Sequence, residues 1–304
     1  MSSVPPYYPE GWDRDRMLNS GAADDMEGLT PENMSAFRDG LRADVGDEEY
    51  EKFFDEMWTR EKRAKGIADP PPSEPLFMQA MRLMEERRGP ESRWDPWGFV
   101  VFKSPEIRDE AEWAACRERF DLILKESTDL YKGFDGLEEC LSRMKFRWVE
   151  DVTEGDAGFD GIARLYSAMS DNLPPGLAHS VCLYITPPAL RSVLDSRLPS
   201  SGKRQYRREI PYAVAVSAKA AEPVDPQDVE DDVAGADWRG YFNVALESLL
   251  ESLFPTVASG SRTPFEMAGH VEGEDVWCDG YRWGVHKTGI GYWDRRTQQP
   301  GTGL

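Results

Sequence analysis

Imidazole and thiol chemistry have few residues to draw on in this chain of 304 residues, which carries the histidines His179, His270 and His286 and the cysteines Cys116, Cys140, Cys182 and Cys278. His270, Cys278 and His286 fall in one local segment. If the chain doubles back there, a thiolate–imidazole pair or a Cys/His metal site can form. Seven residues separate each neighbouring pair, a spacing that matches no familiar zinc or cysteine-protease signature. Cys278, His286 and His270 are therefore the candidate catalytic residues, with a role as ordinary hairpin residues as the competing account. His179 alternates in phase with Val181, Leu183 and Ile185, which reads as a satisfied histidine at a sheet end.

A second candidate set is aromatic. Trp277, Tyr281 and Trp283, with Tyr292 and Trp293 beyond them, stand near Arg282, Lys287, Arg295 and Arg296. Such a group can stack on a sugar, base or peptide. Cross-strand packing accounts for the same residues, so Trp277, Tyr281 and Trp283 are candidate ligand-binding residues beside that plainer reading. Gly289, Ile290 and Gly291 lack the strand and helix that bracket a phosphate loop. The acidic clusters Asp47, Glu48, Glu49 and Asp231, Asp232 lack the alternation and glycine of a calcium loop. Neither a nucleophile elbow, a Walker loop nor an H-E-x-x-H string occurs, and the spacing implies no cofactor and no metal site.

A net charge of -20 repels phosphate backbones and anionic head groups, so neither nucleic acid nor membrane is an expected partner. Lys203, Arg204, Arg207 and Arg208 around Tyr206 form the one basic patch, read as a solvated loop. Hydrophobic residues at 40% and aromatics at 11% are globular values. The chain opens without a basic, apolar leader, and no apolar run approaches the roughly 18 residues of a membrane span. The four cysteines form no C-x-x-C pair and read as reduced thiols. A cytoplasmic setting, with a nuclear one as alternative, is expected.

The elements that must position these residues follow from periodicity. Residues 1–29 show no period and read as a flexible tail. Residues 30–93 read as an N-terminal helical segment: Thr30 and Pro31 open one helix; Tyr50, Phe53, Phe54, Met57 and Trp58 stripe a second; Phe77, Ala80, Met81 and Met84 stripe a third. Residues 94–218 read as an α+β core. Strands are expected at 98–102, 146–149, 179–185 and 212–216. A long helix from Asp109 buries Trp113, Cys116, Phe120 and Ile123; a short helix follows at 137–141; another carries Phe159, Ile162, Tyr166 and Met169; a last one opens at Thr186 and Pro187 and carries Leu190, Val193 and Leu194. This order predicts a ferredoxin-like split βαββαβ core with an inserted helix, its sheet antiparallel and its oily face covered by the first and last of these helices. Residues 219–236 read as an acidic linker. Residues 237–304 read as a helix capped by Asp237, with Trp238, Phe242, Ala245, Leu249 and Leu253 facing inward, followed by an aromatic hairpin that turns at Asp279 and Gly280 between 276–278 and 281–283.

The run Trp97, Gly98, Phe99, Val100, Val101, Phe102 and Lys103, the acidic helix holding Trp113, Leu183-Tyr184-Ile185 with the Leu190 helix, and the strand from Pro211 together resemble a group of uncharacterised filamentous-fungal proteins over residues 97–253. The resemblance implies a fungal cytoplasmic or nuclear setting and carries over no catalytic residue. Two functions stay open: a non-enzymatic interaction or regulatory protein whose partner docks on the N-terminal amphipathic helices, or an enzyme or small-ligand binder with a pocket between the sheet and the C-terminal hairpin.

Overall fold

The run Trp97–Lys103 (β1) is apolar at nearly every position and buried along its whole length. A strand with two apolar faces must lie inside a sheet that is covered on both sides. A computed structural model, which describes residues 4–23, 25, 27–67, 73–89, 96–201, 209–220, 238–268, 271, 273–278 and 285–286, places it so. β1 pairs in parallel with Met144–Val149 (β2) on one side and Val181–Ile185 (β3) on the other. Tyr212–Ser217 (β4) then pairs antiparallel with β3, and Tyr241–Ala245 (β5) antiparallel with β4. Val276–Trp277 (β6) runs parallel to β5, and Val285–His286 (β7) closes a seven-stranded mixed sheet in the order β2-β1-β3-β4-β5-β6-β7.

Period-two alternation divides the side chains between two apolar layers. Phe99, Val101, Leu183, Ala215 and Val244 face Glu110–Thr128 (α4), Pro187–Asp195 (α7) and Leu76–Arg88 (α3). Val100, Phe102, Cys182, Tyr184, Val214 and Val216 face Phe159–Ser170 (α6), which supplies Ile162, Ala163 and Tyr166. The Asp109 carboxylate accepts from the Ala111 and Glu112 N–H groups to start α4, and Phe120 on that helix meets Phe146 and Trp148 edge-on at 5.1 and 5.2 Å. β2, the edge strand, shows charge to solvent at Lys145 and Arg147, a device that discourages pairing with another chain.

The four expected strands share one sheet, and α4 and α7 share a face, but the pairing departs from the ferredoxin-like arrangement. There the second strand lies beside the third and the fourth beside the first, all antiparallel. Here β2 lies beside β1, in parallel. The cause is a connection. The inserted helix of that expectation, α6, is a crossover between β2 and β3, so these two strands run the same way and do not form the hairpin of the ferredoxin-like order; both pair in parallel with β1 instead. At the start of β1 the Trp97 indole N–H donates to the carbonyl of Cys140 in Leu137–Ser142 (α5) at 2.9 Å and the Trp97 amide to Arg143 at 3.3 Å, and the register with β2 starts at Trp97↔Met144.

Downstream, the helix expected from Asp237 is instead β5 as far as Ala245, followed by a 3-10 turn at Leu246–Ser248, a π-helix at Leu249–Leu253 and Phe254–Ser259 (α8). Phe242, Leu249 and Leu253 fit a helical period, but Phe242 and Val244 also fit alternation, and β4 offers backbone partners from Tyr212↔Ala245 to Val216↔Tyr241. Ladder bonds plus burial outweigh local propensity. The hairpin is wider than predicted, because Val276 pairs with His286 and Trp277 with Val285 rather than with 281–283. Asp237, most of the acidic linker, the basic patch at 203–208 and the turn at Asp279 and Gly280 lie outside the described residues.

The chain divides into two compact units, Met1–Ser73 with Ser200–Arg207 and Glu74–Pro199 with Arg208–Leu304. The expected N-terminal segment is therefore split, since α3 belongs to the second unit, where Phe77 stacks on Trp97 at 5.5 Å. In the first unit, the described part of the expected flexible tail is folded. Asp13 caps Arg14–Asn19 (α1), and Trp12, Met17 and Leu18 are buried. This short apolar set needs only one partner helix, and Pro31–Ala64 (α2) provides it, with Arg60 reaching Asp15 at 3.0 Å and Arg14 reaching Glu56 at 3.3 Å. Two helical segments of α2 meet at Gly46, whose φ of 78° breaks the spiral.

Gly98 is the tightest backbone approach in the sheet. Its φ is +138°, its N–H donates to Gly176, and an added Cβ would lie 2.1 Å from the Lys145 carbonyl oxygen. Gly98→Ala is expected to destabilise the second unit by at least about 1–3 kcal/mol of backbone strain and to speed amide exchange along β2. Denaturant titration with hydrogen exchange measures both, and parent-like values for both would contradict this account of the β1–β2 contact.

Candidate functional site

Cys278, the one member of the predicted Cys/His set with a described side chain, follows β6 and is buried. Its thiol donates to the Val276 carbonyl at 3.4 Å, and its own carbonyl accepts from the Ser248 hydroxyl. His286 lies on the neighbouring strand, its backbone opposite Val276. His270, Tyr281 and Trp283 lie outside the described residues. Trp277 is buried, with its ring edge-on to Phe242 at 6.1 Å, so it belongs to the apolar layer. Among the described residues, no group of three or more His, Cys, Asp or Glu side chains is placed to hold a metal ion. Burial raises the Cys116 thiol to about 12 and pushes the Cys182 thiol upward as well, so both thiols stay protonated and unreactive.

His179 sits just before β3, beside a depression of about 360 Å³ that Arg87, Ala178, Val257 and Gly260 also line. Its Nε2 stands 3.0 Å from both the Gly98 and Gly176 carbonyl oxygens. Two acceptors on one ring nitrogen assign the proton to it. The ring lies between Phe99 at 5.4 Å and Phe254 at 5.5 Å. Part of the residue's surface remains exposed, but the imidazole itself is enclosed, and this desolvation depresses its pKa from 6.5 to about 4, against the pull of the two carbonyls. The His179 N–H in turn donates to the Tyr166 hydroxyl at 2.7 Å. The imidazole therefore ties β1, the loop before β3 and α8 together, with its Nε2 proton committed to backbone.

Parallel pairing creates a further place that the sequence did not reveal. With α4 and α6 on opposite faces, the carboxyl ends of β1 and β3 flank a topological switch point, where open α/β sheets form a crevice. Lys103 stands there, only 6% exposed, with Nζ 2.5 Å from the Glu110 carboxylate and 5.4 Å above the Trp113 ring. Ser104 is buried next to it, donating its N–H to Ile185 at 3.1 Å. The Tyr184 hydroxyl donates to Ala157 at 2.9 Å, and Thr186 caps α7. The indole N–H of Trp113 is buried without a hydrogen-bond partner. A buried cation above a side chain with an orphan donor suits a small acceptor or anion. Lys103 and Ser104 adjoin in sequence, but their place beside Ile185 at the end of β3 depends on strand order.

The fold and these sites define a mixed α/β sheet covered by helices on both faces. Comparison with protein-family models, curated proteins and solved structures gives no match to the chain.

The His179 geometry carries a pH dependence. Below 6.5 the unfolded chain takes up a proton that the folded state refuses until about pH 4. Stability is therefore expected to fall as pH drops through that window, by at most about 3 kcal/mol. In His179→Gln this part of the slope should vanish between pH 7 and pH 4.5 in urea titrations; a slope equal to that of the parent would remove His179 as its source.

Proposed function

We propose that this is a non-enzymatic interaction or regulatory protein that recruits a protein partner through the helices of its first unit. The observation that carries the reading is Trp58. It is 49% exposed on α2, while Tyr50, Phe53 and Phe54 of the same helix are each below 5%. A large aromatic left outside a helix whose other rings are used is the type of residue that anchors protein interfaces. The thiol of Cys278, offered by the sequence for catalysis, is engaged by a backbone carbonyl, which supports the same reading. The acidic charge favours a partner with a basic surface, and the resemblance to filamentous-fungal proteins favours a cytoplasmic or nuclear setting. No helix among the described residues is long and apolar enough to cross a membrane.

A second reading rests on Lys103 and the orphan Trp113 N–H, which favour a small anionic ligand at the carboxyl ends of β1 and β3 rather than beside the C-terminal hairpin.

Trp58→Ala is expected to leave stability within about 0.5 kcal/mol and to lower partner recovery severalfold in quantitative cross-linking against the parent. Equal recovery of the same partners would refute the anchor. A thermal-shift response to a small carboxylate or phosphate that Lys103→Met abolishes would favour the second reading instead.

A further inference from the structure

We propose that the groove between α3 and α5 binds a soft monovalent cation of the copper(I) type through the sulfur atoms of Met78, Met81 and Cys140. Met78 and Met81 stand three residues apart on α3 and so share a face of that helix. Cys140 faces them from α5, its Sγ 3.6 Å from Met81 Sδ. All three line a groove of about 310 Å³. Gly136, just before α5, lines the same groove beside Met78.

The chemistry fits a soft ion. Two sulfurs bound to one tetrahedral ion at about 2.3 Å stand roughly 3.8 Å apart, so the observed pair needs little movement to share it. Thioethers and a thiolate select copper(I) over magnesium, calcium or manganese. Binding displaces the Cys140 proton to solvent, and the resulting thiolate with a monovalent cation is neutral overall, which suits a partly buried groove. Arg143 lines the same groove with its Nη1 buried and unpartnered, and a thiolate would supply the acceptor that this donor lacks. Glu74, Glu85 and Glu139 stand at the groove and favour a cation, while Arg82 is paired with Glu74 and Glu86. Methionines also serve as fillers of irregular core gaps, and the two roles separate by titration.

The test is anaerobic competition for copper(I) between the reduced full-length chain and the chromophoric chelator bicinchoninate. The parent is expected to retain one equivalent. Cys140→Ser and the volume-conserving Met81→Leu and Met78→Leu are expected to weaken retention by on the order of 10–100-fold, as loss of a metal-site partner does. Met169→Leu, on α6 across the sheet, is expected to bind like the parent. Circular dichroism confirms folding, and if Cys140→Ser unfolds, the two leucine variants decide. Failure of the parent to hold copper against the chelator, or retention by folded leucine variants equal to the parent, overturns the proposal.

Discussion

The fold depends on one constraint: β1 has no face that water can touch. Every position from Trp97 to Lys103 is buried, and alternation sends Phe99 and Val101 one way and Val100 and Phe102 the other. Such a strand is stable only with a backbone partner on each edge and an apolar layer on each face. β2 and β3 meet the first demand. α4, α7 and α3 meet the second on one side, and α6 meets it on the other. The chain supplies the covers in order, α4 after β1, α6 after β2 and α7 after β3, so the wrapping of the sheet is written in the succession of elements.

The sequence carried each element's period but not its neighbours. α4 was legible because Trp113, Cys116, Phe120 and Ile123 recur at helical steps behind an Asp109 cap. α6 and α7 were legible for similar reasons. Strand order was not, because it turns on which edge each strand takes: β2 and β3, joined through α6, each pair in parallel with β1 rather than with each other. β5 was hidden for a different reason. Phe242 serves either period, and only the presence of β4 as a partner selects the strand. The folded α1 segment was missed because Trp12, Met17 and Leu18 are too few to show a period alone; burial against α2 gives them their meaning.

The candidate site shows the same division. Cys278 and Trp277 drew attention as residue types, yet both point into protein, and the structure spends the thiol on Val276. Lys103 drew none, since a lysine ending an apolar strand is unremarkable in sequence. Its interest comes from the parallel pairing of β1 with both neighbours, which places it at the switch point, and from its burial beside Glu110 and over Trp113. Lys103 is buried while the Glu110 side chain stays largely in water, so the carboxylate supplies the counter-charge that the desolvated ammonium would otherwise lack. Glu110 sits in the first turn of α4, where helix polarity also favours negative charge, so one carboxylate serves both the helix start and the lysine.

His179 and Gly98 explain why these margins can be built at all. β1 is approached closely by backbone at its amino end, from Lys145 on one side and Gly176 on the other, and a side chain at position 98 would close that space. The carbonyls of Gly98 and Gly176 meet at one imidazole nitrogen, so a neutral histidine adds a donor to the Gly98 carbonyl and a second one to the Gly176 carbonyl, which already accepts from the Gly98 N–H. That solution needs a donor that is uncharged in an enclosed setting and rigid enough to span two loops. Lysine would bring an unpaired charge, and serine would fall short. The ring's contacts with Phe99 and Phe254 then transmit its position to α8. The amino end of β1 is thus held by backbone and imidazole contacts, whereas its carboxyl end is held by the pairing of the buried Lys103 with Glu110.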